Sequence, residues 1–185
     1  WSPGSYLVRE YARHVLDLQA SSASGEILAS EKIAKNIWRI HTNGATAVQI
    51  DYSLYANELS VRTNEVNGQH AFLQSPGTFF RHAASAGSAH RITFDAPTGW
   101  EVFTPLPREA DGWTAANYDE LADSPFELGP HEQLSFEVNG VTHHMVMAGE
   151  SDVDSEQLRE DVTTICTEVA SIFGQVPFDE YMFMF

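Results

Sequence analysis

Short runs of strand-type apolar residues separated by turn signals recur through the first 148 residues, and a helical period appears as a long clean stripe only near the end. Leu7, Tyr11, Val15 and Leu18 fall at helical spacing, while Leu16, Leu18 and Ala20 alternate with Val15, Asp17 and Gln19. A short helical turn passing into a strand satisfies both. Residues 36–42 and 45–54 are rich in Ile, Val, Tyr and Trp and flank Asn43-Gly44, a dipeptide suited to the φ > 0 positions of a two-residue turn. That pattern predicts a hairpin. A second strand pair is expected from residues 71–82 and 90–96, joined by a loop of small residues at 83–89. Further strands are expected at 100–104 and 132–148, the latter folding back at Asn139-Gly140. Residues 105–130 carry four prolines and many acidic side chains, which predicts a surface excursion. Many short strands separated by turn signals imply a mainly β domain, an antiparallel sandwich or saddle-shaped sheet pair.

After Gly149 the period becomes helical. Asp152 and Asp154 are N-cap candidates, and Leu158, Val162, Ile165, Cys166, Val169, Ile172 and Phe173 form one apolar stripe. Gly174 suits a left-handed C-terminal cap, Pro177 prevents continuation, and residues 178–185 read as a buried strand. A helix of about 20 residues is roughly 30 Å long, more than the following residues can cover. The expected organisation is a β-domain over 1–148, lacking its first strands, then residues 149–185 as the opening helix and strand of a truncated α+β domain.

Composition narrows the function. Eleven Phe, six Tyr and four Trp supply a large core. Ten basic against 26 acidic side chains give a formal charge of -16, which repels phosphate backbones and argues against nucleic acid as a partner. No run of about 18 apolar residues is present, so no ordinary membrane-spanning helix is expected. One cysteine, Cys166, makes no internal disulfide, and the compartment stays open between cytoplasm and periplasm. The chain opens on turn chemistry at Pro3-Gly4, which reads as entry in mid-domain, and the lack of a leader segment in its first residues is uninformative.

Candidate chemistry is sparse. Eight histidines occur, but the sequence has no His-Glu-x-x-His and no paired Cys-x-x-Cys. His82 and His90 would face each other across the second predicted hairpin, near Glu101 or Glu132, but spacing alone builds no coordination shell. His143 and His144 are adjacent on a strand and point to opposite faces. Cys166, on the apolar stripe, reads as an inert thiol, and no Gly-x-Ser-x-Gly elbow supports a hydrolase triad. Arg9, Arg13 and Arg62 read as ion-pair partners. Trp100 and Trp113, if exposed, would instead form the platform of a non-catalytic module binding carbohydrate or protein.

Longer strings carry more information. The run from Pro3-Gly4-Ser5-Tyr6 through Arg9 to Tyr11-Ala12-Arg13-His14 resembles the Pro-Gly-Ser-Tyr-x-x-Arg-x-Phe-Ala-Arg-His motif of the glycyl aminopeptidase family of zinc metallopeptidases. Tyr55 to Arg62 resembles that family's Tyr-x-x-Asp-Leu-Ser-Val-Arg segment. Tyr118-Asp119-Glu120-Leu121 to Glu127 resembles its Tyr-Asp-x-Leu-x-Asp-x-Pro-x-Glu segment, and Pro177 to Tyr181 its Pro-Phe-x-x-Tyr strand. The resemblance implies an N-terminal β-domain, a thermolysin-like catalytic domain and a C-terminal PDZ domain. It implies zinc in the intact enzyme, none in this chain, and removal of N-terminal glycine or another small residue from peptides. No catalytic residue or metal ligand is expected before Phe185. Where relatives carry Phe-Phe-Asn-Gly-Thr-Ser-Leu-Phe, a loop that helps to hold the substrate amine, this chain has Phe72-Leu73-Gln74-Ser75-Pro76-Gly77-Thr78-Phe79. Gln74 keeps an amide oxygen that accepts from an ammonium. Gln74 and Arg62 are the substrate-binding residues the resemblance implies.

Overall fold

The computed structural model describes residues 6–149 and 152–185, so the turn expected at Pro3-Gly4 lies outside the described residues. The strands are β1 (Val15–Ser22), β2 (Ile27–Leu28), β3 (Ser30–Ala34), β4 (Ile37–Ile40), β5 (Val48–Leu54), β6 (Glu65–Val66), β7 (Ala71–Leu73) and β8 (His90–Ile92). They continue as β9 (Glu101–Phe103), β10 (Arg108–Glu109), β11 (Gly112–Ala115), β12 (Phe126–Gly129), β13 (Glu132–Val138), β14 (Val141–Met147) and β15 (Glu180–Met184). The helices are α1 (Ser75–Thr78), α2 (Tyr118–Asp123) and α3 (Ser155–Phe173), with single 3₁₀ turns at Tyr11–Arg13 and Ala83–Ser85. The fold is mainly β, and its sheets are antiparallel apart from the β14–β15 pair.

The first 3₁₀ turn delivers the chain into β1, which pairs with β5 along most of its length. Asp17, at φ 49°, marks the bulge where the β1–β5 register shifts between Leu16 and Gln19. β6, β7, β12 and β9 form a four-stranded sheet in that order, and β10, β11 and β8 a three-stranded one. Their shared core holds Ala71, Ile92, Leu106, Ala115, Leu121, Phe126 and Leu128. β13, β14 and β15 form the last sheet, and α3 packs on it around Phe136, Val138, Met145 and Ala170.

Three expectations are corrected. Asn43 (φ 51°) and Gly44 (φ 85°) do form the expected turn, closed by Ala45 N–H donating to Thr42 O at 2.8 Å. The flanking strands do not pair with each other. β4 takes β3 as its partner and β5 takes β1, because turn chemistry is local whereas a ladder needs a free complementary edge. Residues 71–82 and 90–96 also do not pair. Pro76 lies in α1, which ends β7 at Leu73, and β8 pairs with β11 instead. Residues 105–130, expected as a surface excursion, hold β10, β11, α2 and β12 and supply five core members, from Leu106 to Leu128. Pro125 and Pro130 bracket β12 rather than interrupting it, which is where proline is tolerated in a sheet.

The second half keeps more closely to its pattern, except that the strand expected to be buried at 178–185 is β15, an edge strand only partly covered, with Tyr181 and Phe185 exposed. Asn139 (φ 52°) and Gly140 (φ 78°) turn β13 into β14, whose ladder runs from Val138–Val141 to Glu132–Met147. Asp154 accepts from the N–H groups of Glu156 and Gln157 at 3.1 Å each, capping α3. Gly174, at φ 77°, closes it, donating to Ala170 O at 2.8 Å. His143 stacks on Phe136 with ring centroids 5.1 Å apart, while His144 reaches Glu180 on the opposite face. The apolar stripe of α3 divides between two surroundings. Leu158, Val162 and Cys166 pack on the sheet, whereas Ile165, Val169, Ile172 and Phe173 are exposed.

Candidate functional site

The segment around Gln74 is held in place from several sides. Gln74 is the N-cap of α1, with its Oε1 accepting from Gly77 N–H at 3.3 Å, and only 9% of the residue is exposed. Its own N–H donates to Asn64 Oδ1 at 2.8 Å, and Asn64 Nδ2 donates to Thr78 Oγ1 at 3.0 Å. Asn64 is thus a buried bracket spanning both ends of the turn. The Ser75 hydroxyl donates to Ser124 O. A side chain at Gly77 would meet Tyr11 Cδ1 at 3.2 Å, so the turn also sits close against the 3₁₀ segment.

Two tyrosines hold the far end of the turn. Tyr52 Oη donates to Thr78 O at 2.7 Å, and Tyr118 Oη donates to Phe79 O at 3.0 Å. Burial raises both phenols above their usual range; for Tyr52 the neighbouring Tyr118 adds to this, and for Tyr118 Arg81 pulls back while Asp119 adds. Both therefore remain protonated donors at neutral pH. Next along the chain, Phe80 meets Trp38 at 5.2 Å and Tyr52 at 4.9 Å, both edge to face. Residues 74–80 are thus clamped by β4, β5, α2 and the Asn64 loop.

Residues 76–80 of this segment form one wall of a cleft of about 840 Å³, which also takes Tyr11, Trp38 and Tyr118 into its lining, while the buried Gln74 lies behind that wall and outside the lining. Arg9 and Arg81 put positive charge on the rim, Asp119 and Asp123 negative charge. Arg62 lies outside the lining. It is exposed on the loop closed by Glu58 N–H to Asn64 O at 3.2 Å, two residues before the bracket that holds Gln74. Arg13, read as an ion-pair residue, meets Glu58 at 3.2 Å. Trp100 and Trp113 are half-buried against the first core, with the Arg108 guanidinium 5.4 Å over the Trp113 ring, and make no platform.

The histidine pair expected across the second hairpin is not brought together, because that hairpin does not form. His82 bonds Ser85 at 2.9 Å, and His90 meets Tyr118 edge to face at 5.9 Å. Cys166 is partly buried, and burial raises its thiol, in keeping with an inert role. A second cleft, about 820 Å³ and strongly apolar, opens between α3 and β15, where Ile165, Val169 and Phe173 face Phe183 and Phe185.

The profile of the peptidase M61 N-terminal domain matches residues 1–130. The chain belongs to the M61 peptidase family. The M61 profile ends at Pro130, immediately before the sheet that carries α3. A solved structure of an aminopeptidase N family protein from Idiomarina loihiensis superposes on the chain with a TM-score of 0.91 and 30% sequence identity. The match covers 100% of this chain and 33% of that one, so the M61 chain spans a third of its relative's length. Comparison with curated proteins finds no match.

Among the described residues, no ligand set of a peptide-cleaving zinc centre lines either cleft. Among the described residues, one trio of ligand-type side chains is drawn together, His70, Glu127 and His131, and it lines neither cleft. Nor does the sequence hold a helical His-Glu-x-x-His pair that a catalytic zinc of the expected type requires.

Proposed function

We propose that this chain is the N-terminal region of a zinc-dependent aminopeptidase that removes N-terminal glycine or another small residue from peptides. In this reading the chain flanks the substrate and positions it, while zinc and the general base are supplied by a catalytic domain elsewhere in the protein. The observation that carries the reading is the clamped segment 74–80, whose residues 76–80 are held on one side and open to a cleft on the other. Catalytic geometry is worth most when its supports are locked beforehand. Gln74 Oε1 uses one lone pair on Gly77, and the proposal assigns its second to a substrate ammonium that reaches it from the neighbouring cleft wall. Arg62, exposed on the loop that ends in Asn64 and outside the cleft lining, is the second residue proposed to meet the substrate.

The M61 family match and the aminopeptidase relative support the peptidase part of this reading. The uncovered apolar groove beside α3 supports a docking face for the remaining catalytic domain. The test is hydrolysis of glycyl-anilide by the whole protein, before and after chelation and zinc return. We expect cleavage that chelation abolishes and zinc restores. Metal-independent cleavage, or none with zinc present, contradicts the proposal.

A further inference from the structure

His70, Glu127 and His131 meet on one face of the four-stranded sheet. Glu127 sits on β12, between Phe72 of β7 and Phe103 of β9. Gly129 comes next on the same face, and His131 lies two residues beyond it. The antiparallel pairing of Leu128 with Ala71 brings His70, the residue before β7, alongside Gly129. Glu127 Oε1 takes His70 Nδ1 at 2.9 Å and His131 Nε2 at 2.7 Å. The three side chains are 16%, 5% and 3% exposed in chain order. A Cβ at Gly129 would lie 2.4 Å from His131 Nε2, so glycine there is what admits the imidazole.

A carboxylate this buried needs compensation, and among the described residues no lysine or arginine is paired with it. Its surroundings are a pair of imidazole nitrogens. Two imidazoles and one carboxylate are the donor set of zinc-type ions, and the three ligand atoms lie within 4.8 Å of one another. At metal–ligand distances of about 2.0–2.1 Å, tetrahedral ligand atoms stand about 3.3 Å apart. The observed 2.7 and 2.9 Å contacts thus have to open by about half an ångström, a small side-chain movement. Coordination requires each imidazole to carry its proton on the nitrogen that does not face the ion.

We propose that His70, Glu127 and His131 form a buried structural site for a zinc-type divalent cation, with water at the fourth position, reached from the side of His70. The site ties β7 to β12 and the start of β13. It contradicts the expectation of no metal in this chain, and it stands independently of the proposed peptidase activity. The experiment is titration of the chelator-treated 185-residue chain with Zn²⁺, and separately with Co²⁺, monitored by calorimetry, thermal unfolding and visible absorption. We expect one ion per chain and a Tm rise of roughly 5–10 °C at hundredfold excess over Kd. We also expect visible Co²⁺ bands of a low-coordinate nitrogen and oxygen site. His131→Ala and Glu127→Gln should abolish binding, and His70→Ala, at the most exposed ligand, should weaken it at least tenfold while the variant stays folded by circular dichroism. His82→Ala and Cys166→Ser should leave it unchanged. Absence of binding, binding unaffected by the three ligand variants, or equal affinity for Mg²⁺ overturns the proposal.

Discussion

Tyr52 and Tyr118 each spend a phenol on one backbone carbonyl, and those carbonyls belong to consecutive residues, Thr78 and Phe79. Removing either hydroxyl leaves a carbonyl without its donor, so Tyr52→Phe and Tyr118→Phe should each cost about 1 kcal/mol in urea unfolding. The direction of the phenol shifts sets the pH dependence. Both phenols are raised above their ordinary value near 10, so the folded protein holds these protons more tightly than the unfolded chain does. Their contribution is complete below about pH 10 and is lost as pH rises further. The double Phe variant should therefore show a shallower alkaline loss of stability than the parent; an identical slope would mean the tyrosines are not responsible. Neither tyrosine was legible as a site residue, because its role depends on a carbonyl 26 or 39 positions away. The same holds for His70 and Glu127, 57 residues apart in sequence and 2.9 Å apart in space.

At the level of elements, local chemistry was readable and partnership was not. The cap of α3 illustrates the first. Asp154 and Gly174 end the helix as their residue types dictate, and Asp154→Ala should lower stability by about 1 kcal/mol, seen as a shifted urea midpoint at constant slope. The two Asn-Gly turns illustrate the second. Both adopt the expected φ > 0 geometry, but only Asn139-Gly140 joins paired strands. Around Asn43-Gly44 the flanking edges were taken by β3 and β1, a choice made by tertiary packing. β10 to β12 escaped notice for a related reason. Strands of two to four residues bracketed by proline carry almost no period, yet the burial of Phe126 and Leu128 makes them central.

For the whole molecule, two cores divide the work. The first supports the wall at residues 74–80, and the second binds α3 to the last sheet while leaving Ile172 and Phe173 in the open. A resemblance carried by strings of residues reached a peptidase family from sequence, which the M61 match supports at that coarser level, whereas the cleft walled by residues 76–80 emerged only once β4, β5 and α2 had converged on it. If the chain positions substrate as proposed, this cleft receives a peptide by its free amino terminus. The most direct test is kcat/KM for glycyl peptides with free and with blocked amino termini, in the whole protein and in its Gln74→Ala variant. We predict that the parent strongly prefers the free amine and that Gln74→Ala loses about tenfold or more on free-amine substrates, the worth of one charge-assisted hydrogen bond, with much less change on blocked ones. Equal losses on both substrates, or no preference in the parent, would contradict it.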